Sequence, residues 1–122
     1  MTKRIDEGKR LSQAVMYGTT VYLAGQVAGD VTADVAGQTA QILEKIDRLL
    51  AAANSDRSRL LSVSIWLADI AFFDAMNAVW DAWIAGVGSP ARACVEARLA
   101  GPELKVEIAS VAACDPEAAD LT

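Results

Sequence analysis

Pro90-Ala91-Arg92-Ala93-Cys94-Val95-Glu96 sets an arginine and a thiol into an otherwise apolar strand, and Glu107 follows in a second strand a short turn later. The planar fork of an arginine takes a carboxylate through two parallel hydrogen bonds. A glutamate facing the same space can hold a water and shuttle its proton. Together these types describe hydrolysis of a small electrophile that carries an acid group. Side chains alternate along a strand, so Arg92, Cys94 and Glu96 share one face and Ala91, Ala93, Val95 and Ala97 the other. The alanine and valine face reads as the core face, and Arg92, among small apolar neighbours, as a pocket residue. If the last two strands pair through their short connection, Glu107 falls opposite Glu96 and shares the face of Arg92 and Cys94. Arg92 and a residue four positions on then stand roughly 13 Å apart, enough for a small organic acid; a subunit boundary can equally run between them. Judged by spacing alone, an internal Arg92–Glu107 ion pair is the stronger alternative.

Residue types that are missing narrow the chemistry further. The chain has 122 residues and no histidine, which removes the Ser/His/Asp triad, the Cys/His pair and the commonest metal ligand. Carboxylate, arginine, backbone, thiol and water remain. Cys94 and Cys114 match no metal spacing and are expected to be reduced thiols. No base stands near Cys94 in the sequence to make its thiolate, so it reads as a packing residue. A net charge of −5 without a basic cluster argues against nucleic acid and against an anionic membrane surface. Hydrophobic residues at 53% and charged ones at 22% predict a single folded domain over residues 1–122, long enough to bury a core without disulfide or metal. No apolar run approaches the ~20 residues that span a bilayer, and Met1 to Glu7 lacks the apolar core of a leader, so a cytoplasmic location is expected.

The elements that must position Arg92 and Glu107 follow from periodicity. Ala14 to Tyr17 and Thr20 to Ala24 read as two strands about a Gly18-Thr19 turn. From Thr32, taken as an N-cap, apolar residues recur at helical spacing to Ala53, with Gln38 and Gln41 on the polar face. Leu60 to Leu67 alternates as a strand, and Asp69 is placed to cap a second helix over Ile70 to Ala85 that carries Phe72, Phe73, Trp80 and Trp83 as packing residues. Two final strands, Arg92 to Leu99 and Lys105 to Ala113, complete the domain, with a frayed tail from Asp115 to Thr122. The order predicts an α+β fold. Two helices cover one face of such a sheet, so the other face needs a partner and the protein is expected to be an oligomer.

Four stretches carry a resemblance to a known family. They are Ser12-Gln13-Ala14-Val15 with Ala24-Gly25-Gln26; Gln38-Thr39; Leu67-Ala68-Asp69 with Phe73 and Asn77; and the Pro90–Glu96 segment with Val106-Glu107-Ile108. In this order and spacing, over nearly the whole chain, the sequence resembles the RidA (YjgF/L-PSP, reactive intermediate deaminase) family. The resemblance implies a chorismate-mutase-like mixed sheet, a homotrimer with clefts between subunits, no cofactor, and hydrolysis of 2-imino or 2-enamino acids to 2-oxo acids and ammonia. It assigns Arg92 to the substrate carboxylate and Glu107 to the attacking water. Cys94 and Gly25 contribute backbone to the cleft, and Asn77 matches an asparagine on the second helix. One departure stands out: Leu11 occupies the position where better-known members carry a cleft tyrosine. Two other functions are compatible with the same residues, a trimer that senses small carboxylates without turnover and an endoribonuclease or translation inhibitor, the second disfavoured by the acidic balance.

Overall fold

A computed structural model describes residues 2–116. Its elements are β1 (Thr2–Glu7), β2 (Ser12–Tyr17), β3 (Thr20–Gln26), α1 (Val35–Ala52), β4 (Leu60–Leu67), α2 (Phe73–Ile84), β5 (Ala91–Glu96) and β6 (Val106–Ala113). The six strands form one mixed sheet in the order β1-β2-β3-β6-β4-β5. β4 and β5 are parallel and joined through α2, whereas β6 runs antiparallel to both β3 and β4. A parallel pair cannot be closed by a tight turn, which is why a helix separates these strands in the sequence. Buried positions of both helices enter the same apolar cluster as alternate residues of the central strands. The fold is α+β, with two helices on one face of the sheet.

β6 shows the alternation most cleanly. Val106, Ile108, Ser110 and Ala112 are buried, while Glu107, Ala109, Val111 and Ala113 point to the open face. Register extends that face across the sheet: Val15, Tyr22, Val111, Ser62 and Ala91 form one row, and Glu107, Trp66 and Val95 form another. Tyr22 and Val95 are each 52% exposed there, so this side of the sheet is left open among the described residues.

Several sequence expectations are corrected. The last two strands do not form a hairpin, because β4 lies between them and pairs with both. Arg92, Cys94 and Glu96 are in register with the buried Val63, Ile65 and Leu67, so theirs is the helix side, and Ala91, Ala93 and Val95 face outward. Glu107 therefore lies neither opposite Glu96 nor on the face of Arg92. The first helix is capped by Asp34, whose carboxylate accepts from the Gly37 N–H at 2.8 Å; Thr32 instead donates its hydroxyl to Asp30 at 2.6 Å. Asp69 caps a short 3₁₀ turn, Ile70–Phe72, that precedes α2. β1 went unpredicted because Lys3, Arg4, Asp6 and Glu7 mask its pattern on an exposed edge. Asp115 is not frayed, since its N–H donates to the Asn54 carbonyl at 3.0 Å and its carboxylate pairs with Arg59 at 3.1 Å. Residues 117–122 of the expected tail lie outside the described residues.

Gln38, expected on the polar face of α1, is fully buried and saturated. Its amide nitrogen donates to the carbonyls of Val31, Ala33 and Glu103, and its oxygen accepts from the Lys105 N–H at 3.0 Å. One amide thereby ties the loop before α1 to the loop before β6, satisfying backbone groups that have no ladder partner.

Candidate functional site

Arg92 stands on the edge strand β5 and reaches over the sheet rim to α2. Its Nη1 donates to Asn77 Oδ1 at 2.8 Å, and its guanidinium carbon lies 5.2 Å from the centroid of a Trp80 ring. Asn77 and Trp80 are three residues apart on one helix, so both meet the same side chain. Together with Asp81, Ser89 and Pro90 they line a cleft of about 370 Å³. Among the described residues no carboxylate is ion-paired with Arg92. A guanidinium has five N–H donors, and only one is engaged by a side chain here. The internal ion pair with Glu107 is not formed.

Cys94 follows on the same face, half-buried against the core. Burial pushes its thiol pKa up, with the Arg92 charge only partly opposing, so the group is a neutral thiol at pH 7. Glu96 is occupied elsewhere: its carboxylate accepts from the Ile70 N–H at 2.9 Å and so anchors the entry to α2. A larger cleft of about 620 Å³ runs along residues 96–104 beside Ala68 and does not include Arg92.

Glu107 belongs to the open face. It is opposite Trp66 on β4, and its carboxylate packs against Gly25 at the shift in register between Leu23 and Gln26 of β3. A Cβ at position 25 would overlap Glu107 Oε2 and stand 3.0 Å from its Cδ. Glycine at this point is what lets the backbone of β3 approach the carboxylate. The irregularity is held from within, as the buried Gln26 amide donates to Gln13 Oε1 at 2.9 Å and to the Ala24 carbonyl at 3.0 Å.

The sequence candidates thus form two groups. Arg92, Asn77 and Cys94 sit at the β5 edge on the helix side; Glu107 and Gly25 sit on the open face. Two strand spacings and three residues of rise separate Arg92 from Glu107, roughly 14 Å between backbones on opposite faces of the sheet. Leu11 is 53% exposed ahead of β2. Its carbonyl accepts from the Gly8 N–H at 2.8 Å. Trp66 and Trp80 were not singled out by spacing as neighbours of the site. Parity along β4 and the helical offset Asn77 to Trp80 carried the signal, but only once the parallel β4–β5 register is known.

The sequence profile of the family described as Endoribonuclease L-PSP matches residues 1–114. A RutC family protein of Haemophilus ducreyi is 45% identical over 113 residues, 93% of this chain and 97% of that relative. The crystal structure of NMB1025 from Neisseria meningitidis, described as a member of the YjgF protein family, superposes with a TM-score of 0.91 at 41% identity, covering 96% of this chain and 98% of that one. More distantly, a 2-iminobutanoate/2-iminopropanoate deaminase of Escherichia coli is 29% identical over 107 residues, 82% of this chain and 84% of that enzyme.

Proposed function

The chain belongs to the RutC/YjgF family described as Endoribonuclease L-PSP, and on that footing we propose that it is an imine deaminase, hydrolysing 2-imino and 2-enamino acids to 2-oxo acids and ammonia. The observation that carries this reading is a guanidinium held in a cleft by an amide and an indole and ion-paired with no carboxylate among the described residues, although Asp81 lines the same cleft. Such a group is free to grip the carboxylate of a substrate bidentately.

Glu107 supplies the proton chemistry. It accepts a proton from water as the water oxygen bonds to the iminium carbon, giving a carbinolamine. The same carboxyl returns that proton to the nitrogen, the C–N bond breaks with release of ammonia, and the hydroxyl proton passes back to Glu107 as the C=O bond forms. A carboxylate packed against a glycine backbone can serve all three transfers. Neither histidine nor a thiolate is required, in keeping with the chain's composition and with a Cys94 thiol whose pKa is raised.

Within one protomer the two groups cannot meet on a substrate a few ångströms long. We assign the complete site to two copies: the β5 edge and α2 of one protomer bring Arg92 and Asn77, and the open sheet face of the next brings Glu107 and Gly25. These are different patches, and we take the contact between them to be heterologous and closed into a ring. The family resemblance implies that this assembly is a homotrimer.

An amino-acid oxidase supplies the test by generating the imine in the assay. The protein is expected to shorten the lifetime of imines made from small apolar amino acids, read as loss of trapping by semicarbazide. An unchanged lifetime together with measurable binding of the 2-oxo acid points instead to a carboxylate sensor. Cleavage of RNA, disfavoured by the net charge of −5, would restore the nuclease reading.

A further inference from the structure

Two arginines of this protein lie over indole rings, and their surroundings differ in one respect. Arg57 stands 4.7 Å from the centroid of a Trp83 ring and is ion-paired: Nη2 and Nε donate to Asp47 at 2.6 and 3.1 Å, and Nη1 donates to the Trp83 carbonyl at 2.8 Å. Arg92 lies over Trp80 with a single neutral hydrogen-bond partner. The first arrangement is a closed structural clamp. The second leaves donors unspent.

The two are linked. Trp80 and Trp83 pack with ring centroids 5.4 Å apart at 48°, and the Trp83 indole N–H donates to the same Asp47 carboxylate at 3.0 Å. Trp80 itself is 5% exposed. A continuous stack therefore runs from the Asp47–Arg57 clamp through Trp83 and Trp80 to the face of Arg92. An indole face attracts a cation without accepting its N–H donors. It fixes where the guanidinium lies while leaving its hydrogen-bonding edge to a ligand. A carboxylate in place of Trp80 would hold the arginine as firmly and cancel the charge that an acid substrate needs.

We infer that Trp80 is a positioning residue, holding the Arg92 fork in the cleft for a substrate carboxylate, and that Trp83 and Asp47 buttress it from behind. The inference rests on the deaminase reading for the identity of the ligand, but not for the geometry. Pyruvate, a 2-oxo acid, is the probe. Trp80→Leu is expected to weaken pyruvate binding ~10-fold and to raise KM for the imine by a similar factor with a smaller change in kcat. Trp80→Phe, which keeps an aromatic face of lower strength, is expected to restore most of that loss. In ¹⁵N spectra the Arg92 Nε–H resonance, displaced by the indole ring current in the parent protein, should move toward the other arginines in Trp80→Leu.

Trp80 is a core residue, so Asp47→Ala provides a second route: it removes the acceptor of the Trp83 N–H and the ion-pair partner of Arg57 while leaving Trp80 and Arg92 unsubstituted, and should weaken pyruvate binding a few-fold in a protein that remains folded. Folded Trp80→Leu or Asp47→Ala proteins with the parent's pyruvate affinity and an unmoved Arg92 resonance would overturn the inference and leave the deaminase reading intact. A parent protein inert toward imines, whose Trp80 variants still bind pyruvate more weakly in this order, would overturn the deaminase reading and support the inference. Absence of any pyruvate effect on Arg92 in the parent protein would overturn both.

Discussion

Gly25→Ala separates the contribution of Glu107 to chemistry from any contribution to stability. The added methyl would overlap Glu107 Oε2 and crowd its Cδ at 3.0 Å, and the obstacle it meets is the end of a flexible side chain rather than backbone. The carboxylate must withdraw by about 1 Å to reach ordinary van der Waals separation. A displacement of that size at a proton-transferring group costs about 100-fold in rate. Folding responds little: the glycine does not occupy the left-handed region, so an alanine there also lowers the entropy of the unfolded chain, and the net change should stay within about 1 kcal/mol. The expected pair of results is a melting temperature within about 4 °C of the parent protein and a kcat/KM for imine hydrolysis about 100-fold lower. Measuring both on one preparation decides the matter. Parental activity in a well-folded Gly25→Ala protein would show that the Glu107 carboxylate is not the group moving protons. A collapse in melting temperature would show that the glycine serves the backbone alone.

Arg92→Ala should lower kcat/KM roughly 100- to 1000-fold, the loss of charge-assisted hydrogen bonds to a carboxylate, with little change in melting temperature because no ion pair is broken; Arg92→Lys should recover only part, lacking the fork. Alkylation of Cys94 by iodoacetamide should be slow at pH 7 and rise only above the ordinary thiol pKa of about 8.5, because burial disfavours its thiolate. By the same sign, the stability this thiol contributes is intact below its unfolded pKa and is lost as pH rises through the higher folded value, and rapid labelling at pH 7 would contradict both statements. Gln38→Ala should cost about 3 kcal/mol, since it leaves three carbonyls and one N–H without their buried partner, and should lower the thermal midpoint by on the order of 10 °C.

Period and parity made the helices, five of the six strands and the α+β class legible in the sequence. Topology was not. Leu60 to Leu67 alternates as any half-buried strand does, and nothing local states that it inserts between the last two strands instead of flanking them. Residue type misled the faces separately: alanines usually found inside point outward on β5, and Arg92 sits on the side of the core. Arg92 was legible as a residue type, but its contact with Asn77 depends on a helix crossing between two parallel strands. Gln38 was misplaced because a glutamine at a helix surface and one buried against two loops look alike until the loops are in place. Resemblance supplied Gly25 and Asn77, where spacing had no reason to choose them.

The two rims of the sheet are finished differently. β1 carries charges of both signs and a residue in the left-handed region, Asp6 at φ 50°, that skips a position in its pairing with β2. A rim built this way discourages the docking of another strand. β5 ends the opposite side with alanines at 91 and 93 and a proline just before it. Strand-to-strand docking is thereby discouraged along the β1 flank, and in the assembly proposed above it is the β5 flank that meets a second copy.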